Sequence, residues 1–175
     1  MNKNIRRKTS RRVTALAAAA LAFGIAAGPA TTAQAATAHG AVEGWGSHKD
    51  DWADEGLLST TKHAHSGATG LWQLVLWQDG YLAESDVDCK FGPKTQAATK
   101  RWQRDRLGAA EADGVVGNKT FGEASKNIWT TDNGFSIRYG YIYIGRHVTS
   151  GEYFFHTSYT AGFVKASYTS AANCR

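Results

Sequence analysis

One eight-residue pattern occurs twice, 25 residues apart, and it constrains the middle of the chain more than any other feature. Asp88-Cys89-Lys90-Phe91-Gly92-Pro93-Lys94-Thr95 and Asp113-Gly114-Val115-Val116-Gly117-Asn118-Lys119-Thr120 both read D-x-x-[F/V]-G-x-K-T. Each copy is suited to close a turn and open a helix. The Asp side chain can close the turn onto nearby backbone. The Phe or Val plugs into the core, the Gly permits a left-handed backbone, and the Thr falls in the first helical turn. The string is not a phosphate-binding loop, which requires Gly directly before Lys. Here Pro93 and Asn118 intervene.

Three helices are predicted around these loops. Thr69–Asp79 is dense in apolar residues and ends at Gly80, a suitable C-terminal stop. The second helix starts at Pro93 and runs to Leu107, with Gly108 behind it and Ala98 and Trp102 on one face. The third starts at Asn118 as N-cap, with Phe121, Ala124 and Ile128 on one stripe. From Phe135 the period changes to two. Ile137, Tyr139, Tyr141 and Tyr143 face one way, and Arg138, Gly140, Ile142 and Ile144 the other. Tyr153–Tyr159 and Gly162–Tyr168 read as further strands, so a three-stranded antiparallel sheet is expected. Tyr139, Tyr141, Tyr143, Tyr153 and Tyr159 either pack that sheet on the helices, the reading preferred here, or form a second aromatic surface.

The charge balance looks basic until it is located. The 175 residues hold 20 Lys+Arg against 15 Asp+Glu. Six of those bases (Lys3, Arg6, Arg7, Lys8, Arg11, Arg12) precede an apolar run, Val13–Ala27, and an Ala33-Gln34-Ala35 end, with no acid among them. These are the parts of a secretory signal peptide over 1–35. The run is too short to span a membrane, for which ~20 residues are needed. Ser10-Arg11-Arg12 resembles a twin-arginine signal, but Thr14 and Ala15 follow, so general secretion is favoured. What remains is near neutral and lacks a Lys/Arg stripe, which argues against nucleic acid. Export favours a disulfide between Cys89 and Cys174, the only cysteines, over a free thiol. Residues 36–65 read as a polar strap punctuated by Trp45 and Trp52.

An ordered set of motifs then carries a resemblance. Trp72-Gln73 and Leu76 come first, followed by Gly80-Tyr81. Asp88, Phe91-Gly92 and Thr95 are next, then Ala98 and Trp102-Gln103, and last Asp113-Gly114, Gly117 and Thr120. Over residues 66–128 this resembles the peptidoglycan-binding domain found at the ends of many bacterial wall hydrolases. Cys89 stands where that family has Gly, and Trp replaces Leu or Phe at 72 and 102. The segment from Gln103 to Asp113 is longer than usual, and the tyrosine-rich C-terminal part lies outside the resemblance. The resemblance implies a small three-helix bundle over 66–130. With an antiparallel β-meander over 131–175, the expected class is mainly α, α+β overall. It also implies binding of peptidoglycan, its glycan or stem peptide, in a shallow groove. The residues it carries over are Gln73, Tyr81, Asp88, Thr95, Trp102, Gln103, Asp113 and Thr120, most of them expected to be scaffold. Trp77 and Gln78 are added as surface candidates, because an aromatic can stack on a sugar while an amide binds its hydroxyls. Trp72, Leu76 and Phe91 are expected in the core.

Catalysis finds less support. His63-Ala64-His65 has zinc-like spacing, with His48 and Glu55 upstream, but all lie in a short polar strap. Asp50, Asp51, Asp54 and Glu55 read as a solvated face rather than a glycosidase pair. No nucleophile-elbow, H-E-x-x-H or S-x-x-K motif is present. The expectation is therefore a secreted, monomeric, non-enzymatic peptidoglycan-binding protein without cofactor, metal, nucleic-acid or membrane partner. The alternatives are a small wall hydrolase using the strap, or a secreted protein-interaction or inhibitor module.

Overall fold

A computed structural model describes residues 39–131 and 137–174. The expected signal peptide and the start of the alternation at Phe135 lie outside the described residues. No helix among the described residues is long and apolar enough to cross a membrane.

Helix α1 spans Gly67–Gln78, and every residue from Gly67 to Leu76 is buried. It is the central helix, apolar all round because it is enclosed all round. Ser66 caps it, its Oγ accepting from the Thr69 N–H at 3.1 Å. Helix α2 spans Pro93–Leu107, with Pro93 in the first turn and Arg104 and Arg106 in the last, where cations suit the helix dipole. Helix α3 spans Asn118–Ser125. Its N-cap is Gly117, so Asn118 is the first helical residue rather than the cap.

The mainly α expectation is overturned by the sheet. Five strands, not three, form an antiparallel meander in chain order: β1 Ile128–Thr130, β2 Ile137–Tyr139, β3 Ile142–Arg146, β4 Tyr153–Phe155 and β5 Val164–Lys165. The protein is α+β. Two local features account for the difference. Ile128 continues the apolar stripe of α3 in sequence, yet it begins β1. The segment 137–144 is also a hairpin rather than one strand. Tyr139 pairs with Ile142 across a two-residue turn in which Gly140 has φ 55°. The turn inverts the alternation: Ile137 and Tyr139 are buried before it, Ile144 after it, and Tyr143 faces out.

The N-terminal strap is part of the fold. Val42 donates to the Ala166 carbonyl at 2.8 Å and accepts from the Tyr153 N–H at 2.9 Å, so it is held between β4 and the chain leaving β5. Leu58 and Val116 exchange both backbone hydrogen bonds, joining the strap to the second repeat. Trp52 is fully buried where the layers meet, its ring 5.9 Å from Phe121, 6.2 Å from Tyr139 and 5.3 Å from Tyr153. Trp72 packs edge-on to Trp102 and Phe121. Helices, strap and sheet thus share one core. Cys89 and Cys174 are bonded, with Cα atoms 6.0 Å apart.

Candidate functional site

The two repeat copies build the same object twice. In the first, Gln73 of α1 donates through Nε2 to Asp88 Oδ1 (2.9 Å), the Lys90 carbonyl (3.0 Å) and Thr95 Oγ1 (3.0 Å). Its Oε1 accepts from the Cys89 N–H at 2.7 Å. In the second, Gln103 of α2 donates to Asp113 Oδ1 (3.1 Å), the Val115 carbonyl (2.8 Å) and Thr120 Oγ1 (3.1 Å), and accepts from the Gly114 N–H (2.8 Å). Each Asp also accepts from the backbone two residues on, at Lys90 and at Val115. One amide therefore ties a loop to the helix before it and the helix after it. Thr95 and Gln103 both lie on α2, so the first clamp ends on the helix that begins the second.

The residue after each Asp has a left-handed backbone, Cys89 at φ 61° and Gly114 at φ 79°. Glycine adopts this freely and cysteine at a cost. At Cys89 that cost accompanies the covalent bond to Cys174.

The duplication extends upstream of the sequence pattern. A short 3₁₀ turn precedes each loop, Glu84–Asp86 and Ala109–Glu111. The last acid of each turn pairs with the Lys of its repeat: Asp86 with Lys94 at 2.8 Å, and Glu111 with Lys119. The spacing from acid to Lys is the same in both copies. The sequence carries this as an acid two residues before each repeat Asp, D-x-D in the first copy and E-x-D in the second.

Beside the first copy lies an open groove of about 550 Å³, lined by Tyr81, Leu82, Asp86, Lys94, Ala97 and Arg101 among others. Arg101 Nη2 donates to the Tyr81 carbonyl at 2.8 Å, and the Tyr81 hydroxyl donates to Asp105 Oδ2 at 2.8 Å. Partial burial, and then that carboxylate, push the phenol above its ordinary pKa. The groove thus joins an aromatic ring held in place, an aliphatic floor, two cations and a carboxylate. Such a lining can bind an acetamido sugar or a peptide carrying both charges.

Of the residues proposed from sequence as ligand contacts, Tyr81 alone lines this groove. Gln73, Asp88 and Thr95 form the first clamp, and Gln103, Asp113 and Thr120 the second. Trp102 is fully buried and its indole N–H is given to Asp79 Oδ2 at 2.7 Å. Trp77 and Gln78 are half-buried at the end of α1, with Gln78 lying over Gly140. Asp79 was not singled out in the sequence. Its Oδ2 also accepts from the Tyr139 hydroxyl at 2.9 Å, tying both α2 and the sheet to the end of α1.

Of the four strap carboxylates read as a solvated face, Asp50 and Asp54 are exposed, whereas Asp51 and Glu55 are buried. The Asp51 side chain is sealed, with Oδ2 2.6 Å from Arg146 Nη1 and 2.5 Å from the Tyr153 hydroxyl. Glu55 is 0% exposed, accepting from the Glu43 N–H (2.8 Å) and the Tyr168 hydroxyl (2.5 Å). Burial lifts its carboxyl to about 7, against the lowering effect of those two hydrogen bonds. The histidines go separate ways. His63 Nδ1 meets the Tyr168 carbonyl at 2.9 Å, and His65 is exposed. His48 lies near Arg146, and burial followed by that cation holds its pKa down. Among the described residues no group of three or more His, Cys, Asp and Glu is placed to hold a metal ion.

No protein-family model matches the chain, and neither a curated protein nor a solved structure matches it.

Proposed function

We propose that this chain is a non-catalytic binding module for bacterial cell-wall peptidoglycan, working after export, with the groove beside Tyr81 as its contact surface. The observation that carries the reading is the division of labour within the motif. Its amide, Asp and Thr positions are consumed in holding two loops, and those loops leave Tyr81, Lys94 and Arg101 around an open groove. A stem peptide offers carboxylates to Lys94 and Arg101, and an acetamido sugar offers an apolar face to Tyr81. The non-catalytic part rests on the strap. Both oxygens of Glu55 and one of Asp51 are taken by structural partners, and the histidines are dispersed, His63 on the Tyr168 carbonyl, His48 near Arg146 and His65 exposed.

The test is retention of the exported chain on purified sacculi at ~0.15 M salt, where screening removes loose ionic attachment. Wild type is retained, and Tyr81→Ala combined with Arg101→Ala is released. A wild-type chain that stays in the supernatant overturns the proposal. Release of soluble muropeptides by wild type overturns its non-catalytic half.

A further inference from the structure

An antiparallel sheet with one face on a core and one in water places polar side chains outward. This sheet does not. Its inner face, with Tyr139, Ile144, Tyr153, Phe155 and Val164 buried, packs onto the shared core. On its outer face one line of residues crosses β1 to β3 and runs on through residues that flank β4 and β5. Trp129 pairs with Arg138, and Arg138 pairs with Tyr143. The register Ile144↔Phe155↔Val164 continues that line through His156 to Phe163. The sequence of the line is therefore Trp129 on β1, Arg138 on β2, Tyr143 on β3, then His156 just after β4 and Phe163 just before β5.

These side chains touch. Arg138 lies 6.0 Å from the Trp129 ring centroid, Tyr143 and Phe163 meet edge-on at 6.3 Å, and His156 and Phe163 lie 5.7 Å apart. Contact with one another does not cover them: Trp129 is 44% exposed, Tyr143 42% and Phe163 54%. Five strands at the usual spacing of about 4.8 Å make the line roughly 19 Å long. A cavity of about 350 Å³ extends it past β5, where Phe154 and Phe163 meet Ser167, Ser170 and Asn173.

Charge selects the occupant. The line holds Arg138 and His156 and no acid. In the neighbouring outward row Lys165 is paired with Glu152. Arg138 donates to the Tyr141 carbonyl at 3.0 Å and has no carboxylate partner among the described residues. Rings that present flat apolar faces, set beside the Arg138 guanidinium and the His156 imidazole and ending among hydroxyl and amide groups, complement a chain of pyranose rings bearing acid groups.

We infer that the outer face of the sheet is a second binding surface, for a polysaccharide chain carrying carboxylates, laid across the strands along the line from Trp129 to Phe163. It is independent of the groove beside Tyr81. It needs neither the repeat nor a stem peptide.

The probe is soluble wall glycan strands stripped of their stem peptides, so that the muramic carboxylates are free, titrated calorimetrically into the disulfide-bonded exported chain. Wild type binds. Tyr143→Ala with Phe163→Ala binds about tenfold or more weakly, the loss expected when stacked rings are removed. Arg138→Gln keeps every aromatic and loses the preference for stripped strands over the same strands with their carboxyls reduced. Near-UV circular dichroism verifies that each variant is folded. Wild type failing to bind stripped strands overturns the inference, as does a folded double variant that binds like wild type or an Arg138→Gln chain that keeps the preference. The groove reading is judged separately: binding of stripped strands together with failure on intact sacculi overturns that reading and leaves this one standing.

Discussion

Two side chains illustrate how much a single residue decides here. Glu55 is lifted from its ordinary 4.5 to about 7 by burial. Between those values the folded chain keeps a proton that the unfolded chain has released, so stability falls as pH rises. The loss is complete just above pH 7 and amounts to about 3 kcal/mol at ~1.36 kcal/mol per unit. Urea melts from pH 4 to 8 should show the decline, and Glu55→Gln, which cannot ionise, should flatten it. Gln73 and Gln103 act through hydrogen bonds instead. Replacing either with Leu preserves size but leaves a backbone N–H without its acceptor and three acceptors without the amide donor. Each buried orphan costs about 1–3 kcal/mol, so a loss of roughly 2–5 kcal/mol is expected from chemical denaturation. Were these amides ligand contacts, the same change would weaken sacculus binding and leave the melt unchanged.

At the level of elements, the close fit of α1 against β5 is the most exacting contact. A Cβ on Gly67 would fall 1.8 Å from the Lys165 carbonyl oxygen, which is backbone and cannot rotate away. Gly67→Ala should therefore push helix and strand apart and lower the melting temperature by several degrees, at ~4–8 °C per kcal/mol for a small domain. A scanning-calorimetry trace that matches wild type would refute this. The helices were legible in sequence because their signals are local: Pro93 starts one, Gly80 and Gly108 end two, and both repeat loops announce the next. The sheet was only half legible. Alternation through 137–144 looked like one strand, because a glycine turn between tyrosines leaves the period of two unbroken while reversing its sense. Ile128 had the spacing of a helix and the partner of a strand, and pairing with Tyr139 is a fact about distant sequence. The site divided the same way. The clamp residues stood out because they repeat, whereas Lys94 and Arg101 became a groove wall only once Tyr81 was folded beside them. Trp45 and Trp52 marked the strap as lying on the domain, but nothing in its polar composition singled out Asp51 and Glu55 for burial.

Over the whole molecule, the bridge between Cys89 and Cys174 spans 85 positions. On the chain-entropy account it stabilises by about 4–5 kcal/mol. Reduction, or Cys174→Ser, should lower the urea midpoint accordingly, without altering the slope beyond what a less compact unfolded state requires. The bridge also sets a mechanical route. Tension applied between the strap and residue 174 runs along the backbone to Cys89 and crosses the sulfurs directly. Everything between the two cysteines, which includes α2, α3 and every strand of the sheet, lies off that route as a slack side loop. A pull that peels away the strap and α1 would remove packing from those elements without stretching them end to end. An optical-tweezers trace should show the extra contour length of the enclosed loop only after reductant is added. A molecule anchored at one place and tugged at another would keep the backbone of its strands unloaded for as long as the bond remains oxidised.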